Sequence, residues 1–279
     1  MVLKSFAKLN LSLSVIKKLK NGFHDIQSIF CQIDIFDKII IKKNYNKKND
    51  QIFIKGPFSK HVNKFNNSAH KTLSAMRKYN LISDHYSVTI FKNIPVFAGL
   101  GGGSSNAATI LRNVSKKKIS KNLYNKIIKE ISSDVKIFFE KQGYLNSLQT
   151  IIKFKNSFKL YFLVIYPNLK CSTKEIYSKV RKFSSKEKYL VQDFRPKKQF
   201  IKRTLLKKND LQSIVEKKYP LIRKILKDIK SQRGCYFSRM TGSGSACFGL
   251  FINENCSKVA LKTLRKKYPK YWFSIAKTI

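Results

Sequence analysis

The chain has 279 residues, of which 43% are hydrophobic, and a formal net charge of +43 at pH 7. This length allows one large domain or two smaller ones with a real core, and no apolar run approaches the 18 or so residues of a membrane span. The first residues lack the continuous apolar segment and cleavage site of a signal peptide. The five cysteines are scattered, with no CxxC pair to indicate a zinc site or disulfide framework. We therefore expect a cytoplasmic protein with reduced thiols and no membrane partner.

The positive charge is spread along the whole chain instead of being gathered in one arm or helix. Asn, Ile, Phe and Tyr are abundant while Gly, Pro and Trp are few, which is typical of a low-GC coding composition with lysine at surface positions. A strongly basic chain otherwise indicates nucleic-acid binding. Because the lysines are dispersed, we expect no specific nucleic-acid partner, only nonspecific binding to polyanions at low salt. The sequence does not indicate an oligomeric state.

Hydrophobic periodicity and turn residues predict strands and helices in mixed order. In chain order, the predicted elements are a strand at 3–16, a turn at 21–22, a strand at 26–41, a polar loop at 42–50, a helix at 68–79, a strand at 85–91, a helix at 123–131, a strand at 161–166, a basic aperiodic stretch at 179–208, helices within 210–229 broken at Pro220, a strand at 250–252, a helix at 256–268 and a strand at 272–276. Because strands and helices do not alternate strictly, the fold class is α+β. A domain boundary is expected near residue 150.

Seven of the eleven glycines fall in two short segments, at 99–103 and 242–249. After the first segment, an apolar stripe from Ala107 to Val114 predicts a helix, with Ser104 or Ser105 as its cap. A glycine loop that leads into a helix N-terminus offers free N–H groups and the positive end of the helix dipole to a phosphate. The loop is neither a Walker A motif nor a good dinucleotide-binding fingerprint. A glycine-rich turn without a ligand is the alternative interpretation.

The chain has only fifteen acidic residues, so few carboxylates are candidates for a catalytic base. Asp134 follows two serines and precedes a mostly apolar run, a position from which a carboxylate could accept a hydroxyl proton. The same position also suits an N-cap, and spacing alone does not separate the two roles. Lys8 lies in the first alternating segment, either as an ordinary face residue or as a cation that lowers a nearby carboxylate pKa and steadies a phosphoryl group.

Together these motifs resemble those of the GHMP kinase superfamily. The matching segments run nearly end to end: AKLNL at 7–11, NGFHDIQ at 21–27, PVFAGLGGGSSNAA at 95–108, SDV at 133–135, NDL at 209–211, YP at 219–220 and MTGSGS at 240–245. The first two resemble the branch that phosphorylates a cytidylylated methylerythritol in the non-mevalonate isoprenoid pathway. The resemblance implies a two-domain α+β fold. Its N-terminal ATP-binding domain, at 1–150, would be like ribosomal protein S5 domain 2, and its C-terminal domain, at 151–279, would be ferredoxin-like.

The resemblance also implies a reaction, in which ATP with Mg²⁺ donates its γ-phosphoryl group to the 2-hydroxyl of the methylerythritol moiety. By position, Asp134 would be the general base and Lys8 its electrostatic partner. The implied ATP contacts are Asn67 and Lys92 at the nucleotide base, and Gly99, Leu100, Gly101, Gly102, Gly103, Ser104 and Ser105 at the phosphates, with Ser105 or a neighbour helping to place Mg²⁺. The implied substrate contacts are Asn10, which orients the substrate, Phe23 and Tyr177, which stack on the cytosine, His24, which reads it, Thr173, and the pocket floor of Thr241, Gly242, Ser243 and Gly244.

The sequence departs from the family pattern at three places. Lys136 stands where the family has proline after the DV pair, a glycine-rich stretch is missing at 143–148, and Phe23 replaces the commoner tyrosine. Three alternatives stay open: a kinase of another small alcohol, a basic nucleic-acid-binding protein on this fold, and an inactive kinase. For single residues, Phe23 could be a hydrophobic plug, His24 an ordinary surface histidine and Tyr177 a core residue.

Overall fold

The computed structural model of the protein describes residues 1–45, 48–115, 119–148, 150–154, 157–188 and 196–279. The strands are β1 Val2–Asn10, β2 Ser14–Lys18, β3 His24–Lys43, β4 Gln51–Lys55, β5 Tyr86–Phe91, β6 Gln142–Ser147, β7 Thr150–Lys153, β8 Tyr161–Tyr166, β9 Cys235–Met240, β10 Cys247–Phe251 and β11 Trp272–Lys277. The helices are α1 Ser68–Lys78, α2 Gly102–Val114, α3 Lys121–Ile131, α4 Thr173–Ser178, α5 Lys197–Leu205, α6 Gln212–Lys218, α7 Leu221–Lys230 and α8 Glu254–Lys267, with 3-10 turns at Ser59–His61 and Ser133–Phe139.

The chain forms two compact units, and the first consists of Met1–Ala7, Ile35–Val96 and Gly101–Phe139. In its sheet, β5 lies between β4, which is parallel to it, and the C-terminal half of β3, which is antiparallel. Helices α1, α2 and α3 contribute to one buried core with these strands, as their apolar spacing requires. This core supports α2, whose first turn includes Gly102 and Gly103 of the first glycine segment.

The second unit consists of Lys8–Asp34, Phe97–Leu100 and Glu140–Ile279. The N-terminal half of β3 pairs with β2 and β6, and β6 pairs with β7. A separate four-stranded antiparallel sheet has the order β11-β8-β10-β9 and is packed by α7 and α8. Numbered by their place in the chain, these strands lie in the order fourth, first, third and second, with a β-α-β-β-α-β succession. This is the ferredoxin-like arrangement expected for the C-terminal part.

The α+β class is confirmed, as are the strand at 161–166 and the break at Pro220, which is the N-cap of α7. The single strand predicted at 3–16 is wrong, because the chain bends after Asn10 and resumes as β2 at Ser14. The strand predicted at 250–252 begins earlier, at Cys247. Parts of the predicted polar loop (46–47) and of the basic stretch (189–195) lie outside the described residues.

The predicted domain boundary near residue 150 stays a prediction, since each compact unit gathers three separate chain segments. In the part of the chain that the structure describes, no helix is long and apolar enough to cross a membrane.

Candidate active site

The first glycine segment leads directly into the N-terminus of α2. Gly101, with φ of 71°, is the residue before the helix, and no side chain caps the first turn. The capping role predicted for Ser104 or Ser105 is therefore wrong, because the N-cap is Gly101, three residues before Ser104. An uncapped first turn leaves its N–H groups available to an anion, next to the positive end of the helix dipole.

A second helix begins beside this turn. Asn67 is the N-cap of α1, and its Oδ1 accepts hydrogen bonds from the N–H groups of Ala69 and His70 at 3.0 and 3.3 Å. A Cβ placed on exposed Gly103 would lie 3.7 Å from the Ser68 hydroxyl, so the first turns of α1 and α2 are neighbours. Two helix dipoles thus direct their positive ends to one region, which increases its attraction for a phosphate group. The nucleotide-base contact predicted for Asn67 stays a prediction.

The side chains behind the first turn of α2 are buried and bonded to one another. The Ser105 hydroxyl, 2% exposed, lies 2.7 Å from the Ser5 hydroxyl. The Lys92 ammonium pairs with the Asp37 carboxylate and donates to Asn106 Oδ1 at 3.2 Å. The metal role of Ser105 and the base contact of Lys92 stay predictions, and the partly exposed Ser104 is the serine hydroxyl with better access to a ligand.

Asp134 lies in the 3-10 turn Ser133–Phe139, which packs against α2. The Ser132 hydroxyl lies 3.1 Å from the Ser104 hydroxyl and accepts a weak hydrogen bond from Asp134 N–H at 3.4 Å. Among the described residues, the partly exposed Asp134 carboxylate accepts no hydrogen bond, so the N-cap alternative is not what the structure shows. The serine pair connects the segment that carries Asp134 to the first turn of α2, and the carboxylate is free to accept a proton.

Lys8 lies in the second unit, near the C-terminal end of β1, and its ammonium group is held by two oxygen atoms. Its Nζ donates to Gly99 O at 2.7 Å and to Asn10 Oδ1, while its N–H donates to Leu100 O at 3.1 Å. The residue is 2% exposed, so the alternative of an ordinary face lysine does not apply. Asn10 is fixed in turn, because its N–H donates to Thr241 Oγ1 at 2.9 Å.

The second glycine segment approaches the same lysine. Gly242 has φ of 54°, and a Cβ there would lie 3.2 Å from Lys8 Nζ. Asn209 braces this turn, since its amide donates to Met240 O and Gly242 O, each at 2.8 Å. Thr173 and Ser243 pair their hydroxyls at 3.0 Å. The structure therefore brings together Lys8, Asn10, Gly99 and residues 241–243, for which the resemblance had implied roles as the catalytic cation (Lys8), a phosphate contact (Gly99) and substrate contacts (Asn10 and 241–243).

Aromatic rings surround His24. Its imidazole lies 5.1 Å from the Tyr177 ring and 6.4 Å from the Phe183 ring. Phe23 is 54% exposed, which contradicts the alternative of a buried plug and leaves its ring accessible to a ligand. Burial, followed by the nearby charge of Lys18, lowers the pKa of His24, so the imidazole is neutral near pH 7. Sequence reasoning missed Phe183, which stands in an aperiodic basic stretch without a local signal.

Arg239 is a second residue that sequence reasoning did not single out. Its guanidinium is buried and donates to the carbonyls of Leu11, Thr204 and Lys207, the one to Thr204 at 3.2 Å. Burial lowers its pKa to about 10. These bonds join Leu11, just after β1, to Thr204 and Lys207, just before Asn209. Because Arg239 lies just before the second glycine segment, they also fix the start of that segment.

Two family models match the chain. "GHMP kinases N terminal domain" matches residues 67–140, and "GHMP kinases C terminal" matches residues 192–270. The first range includes α1, the glycine segment, α2 and Asp134.

Relatives match over nearly the whole length. The 4-diphosphocytidyl-2-C-methyl-D-erythritol kinase of Pelagibacter ubique is 37% identical, with 99% of this chain and 98% of the relative covered. The enzyme of the same name from Wolbachia pipientis wMel is 31% identical, with 96% of this chain and 95% of the relative covered. A crystal structure of 4-(cytidine 5'-diphospho)-2C-methyl-D-erythritol kinase superposes with a TM-score of 0.72 at 20% identity, covering 99% of both chains. The crystal structure of Methanococcus jannaschii mevalonate kinase superposes with a TM-score of 0.64 at 18% identity, and the match covers 100% of this chain and 98% of that one. At these identities the solved structures show the shared fold.

Proposed function

The chain belongs to the GHMP kinase superfamily and, within it, to the family of 4-diphosphocytidyl-2-C-methyl-D-erythritol kinases, and from this premise we propose how its residues carry out the family's reaction. The activity is ATP-dependent phosphorylation of the 2-hydroxyl of the cytidylylated methylerythritol in the non-mevalonate isoprenoid pathway. The observation that carries this assignment is 37% identity over 99% of the chain. Its free, mostly buried cysteines suit a reducing compartment, and we place its work in the cytoplasm.

The first turn of α2 holds the ATP phosphates. Uncapped N–H groups at Gly102 and Gly103 donate to phosphate oxygens, and the dipole of α1 adds to that of α2. Phosphoryl transfer depends on positioning and charge neutralisation more than on covalent chemistry by the protein. Fixed backbone donors supply positioning without a cost of reorganisation during the reaction.

Mg²⁺ accompanies ATP and prefers oxygen ligands, of which it takes only one or two from protein. Among the described residues, no cluster of three His, Cys, Asp or Glu side chains is arranged to hold a metal ion by itself. The Ser104 hydroxyl and the Asp134 carboxylate are oxygen donors joined through Ser132, which fits an ion carried mainly by phosphates. When bound, the ion neutralises phosphate charge.

Asp134 accepts the proton of the attacking 2-hydroxyl, which makes the oxygen a better nucleophile as its bond to the γ-phosphorus forms. The bond between that phosphorus and the β–γ bridging oxygen breaks, and ADP leaves with the electron pair. Lys8 stabilises negative charge on the transferring group. Its ammonium is fixed by Gly99 O and Asn10 Oδ1, so it acts from one place without searching rotamers.

At the other end of the substrate, Phe23 and Tyr177 stack on the cytosine. The neutral imidazole of His24 can both donate and accept a hydrogen bond, as the cytosine edge requires. Tyr177 and Phe183 flank this imidazole and restrict its orientation. Binding energy from the base then orients the distant hydroxyl for transfer.

The test is a steady-state kinase assay with MgATP and a panel of alcohols. The panel contains the cytidylylated methylerythritol, its uridylylated counterpart, mevalonate and homoserine, and the Asp134→Asn protein controls for contaminating kinases. We expect kcat/KM for the cytidylylated alcohol to exceed the others by about 100-fold or more, since a site built around base recognition rejects substrates lacking those contacts. A preference for another alcohol, or equal turnover by the Asp134→Asn control, contradicts the assignment.

A further inference from the structure

Asp37 is a fully buried carboxylate in β3 with four hydrogen-bond donors. Its Oδ1 accepts from the N–H groups of Asn93 and Ile94 at 2.8 and 2.9 Å. Its Oδ2 accepts from the Lys92 ammonium and from the Asn106 amide, the latter at 3.0 Å. A carboxylate with no exposure to water keeps its charge only when such donors replace the lost solvent.

The donors come from both sides of the first glycine segment. Residues 92–94 directly precede Pro95 and the segment that leads to Gly99, whereas Asn106 lies in the second turn of α2, just after the segment. One carboxylate thus holds the chain on both sides of the first glycine segment, through residues 92–94 before it and Asn106 after it.

The same network places a positive charge under the first turn of α2. A Cβ on Gly102 would lie 3.1 Å from Lys92 Nζ, so the ammonium lies directly against this backbone. Because the Asp37 carboxylate balances this charge, the ion pair adds no net charge to the helix dipole that attracts the anion. Asp37 instead fixes the ammonium in place against the backbone of the first turn.

The Asn106 amide extends the network to Ser105. Its Oδ1 accepts from Lys92, and its Nδ2 donates to Asp37 and, at 3.0 Å, to the Ser5 hydroxyl. The Ser5 hydroxyl pairs in turn with that of Ser105. Every link from Asp37 to the first turn of α2 is therefore a buried hydrogen bond.

We infer that Asp37 is a positioning residue of the nucleotide site. It fixes the position of the first glycine segment through Lys92 and Asn106 and does not itself contact ATP. The inference rests on the proposed function in one respect, that ATP phosphates bind at the first turn of α2. Loss of the carboxylate leaves Lys92 buried without its counter-charge and releases the N–H groups of Asn93 and Ile94.

The test measures MgATP affinity by calorimetry at 25 °C without the second substrate, together with thermal melting. We expect Asp37→Asn to weaken MgATP binding about 10-fold or more, which corresponds to about 1.4 kcal/mol. In a Lys92→Met background the same substitution is expected to change affinity less than about threefold, because one of its two routes to the first glycine segment is then absent.

Ile39→Ala is the matched control for a purely structural role. Ile39 lies two residues further along β3, points to the same face and is fully buried, so its truncation lowers the melting temperature without touching the network. Its MgATP affinity at 25 °C is expected to stay within twofold of wild type.

Unchanged MgATP affinity in Asp37→Asn overturns the inference, and so does an equal loss in both lysine backgrounds or an equal loss in Ile39→Ala. If Asp37→Asn does not fold, Asn106→Ala takes its place, since it cuts the network and keeps the Asp37–Lys92 pair. MgATP affinity within twofold of wild type in Asn106→Ala would then overturn the inference. Absence of MgATP binding or kinase activity in the wild-type protein is a failure of the proposed function instead.

Discussion

Gly99 is the position where one added methyl group is expected to do most damage. Its φ is 74°, and a Cβ would lie 2.2 Å from Thr241 O and 3.1 Å from Gly244 N, both backbone atoms. Its own carbonyl accepts the hydrogen bond from Lys8 Nζ. Gly99→Ala therefore strains the backbone, pushes the two glycine segments apart and displaces the group that holds the lysine.

The magnitude follows from two costs. The left-handed conformation costs a residue with a Cβ about 1–2 kcal/mol, and overpacking adds about 1–3 kcal/mol. We expect the free energy of unfolding to fall by about 2–5 kcal/mol and Tm by about 4–20 °C. Because displacement of a catalytic group by about 1 Å can cost 100-fold, kcat/KM at 25 °C is expected to fall about 10- to 100-fold. Thermal melting and steady-state kinetics on the purified variant measure the two effects.

Gly103→Ala is the matched control for stability, in the same glycine segment. Gly103 is helical, and its nearest neighbour, the Ser68 hydroxyl, would be 3.7 Å from the new Cβ. Replacing glycine inside a helix stabilises by about 0.5–1 kcal/mol, so Tm is expected to hold or rise. Equal melting of Gly99→Ala and wild type would refute the reasoning, as would equal destabilisation by the two alanines.

Three further predictions concern separate parts of the site. Asp134→Asn is expected to lower single-turnover phosphoryl transfer by about 100-fold or more and to leave MgATP affinity nearly unchanged; normal transfer would exclude the base role. Phe23→Ala is expected to raise KM for the cytidylylated substrate about 5- to 150-fold and KM for ATP little, with Phe183→Ala showing a smaller rise and Phe23→Tyr none; equal effects on both substrates would contradict stacking. Burial and the charge of Lys18 lower the pKa of His24 in the folded chain. Below about pH 6.5 the unfolded chain therefore binds a proton at His24 more readily than the folded chain does, and the free energy of unfolding falls as the pH falls. Wild type is expected to lose more stability than His24→Gln between pH 7.5 and 5.5 in urea unfolding, and parallel curves would disprove it.

Sequence patterns predicted the elements whose signal is local. β8 is a run of six mostly buried residues, and α7 begins where Pro220 requires it. The unpredicted strands β4, β6, β7 and β9 are four to six residues long, and their pairing with β5, β3, β6 and β10, respectively, rather than their own composition makes them strands.

The site was predicted less evenly. The glycine segments carry a composition signal, whereas the carboxylate of Asp37 meets Lys92 and Asn106 from 55 and 69 residues away. No periodicity reports such a pairing. Gly102 shows the same difference: its sequence context indicates a left-handed turn, but its backbone is helical, and the side chains of Ile94 and Lys92 are what would crowd a Cβ.

The alternation of chain segments between the two units determines the order in which they can form during synthesis. The first unit is complete once Phe139 has been made. In the second, the Asp34 carboxylate accepts a hydrogen bond from Lys277 N–H at 2.8 Å, and Ile33 bridges to Thr278. At about 5–20 residues per second, the segment containing Lys8 therefore waits about 12–50 s for its last partner strand. During that interval the end of this segment, at Ile33 and Asp34, lacks its partner strand, so yield in cells is expected to depend on chaperones that bind early strands.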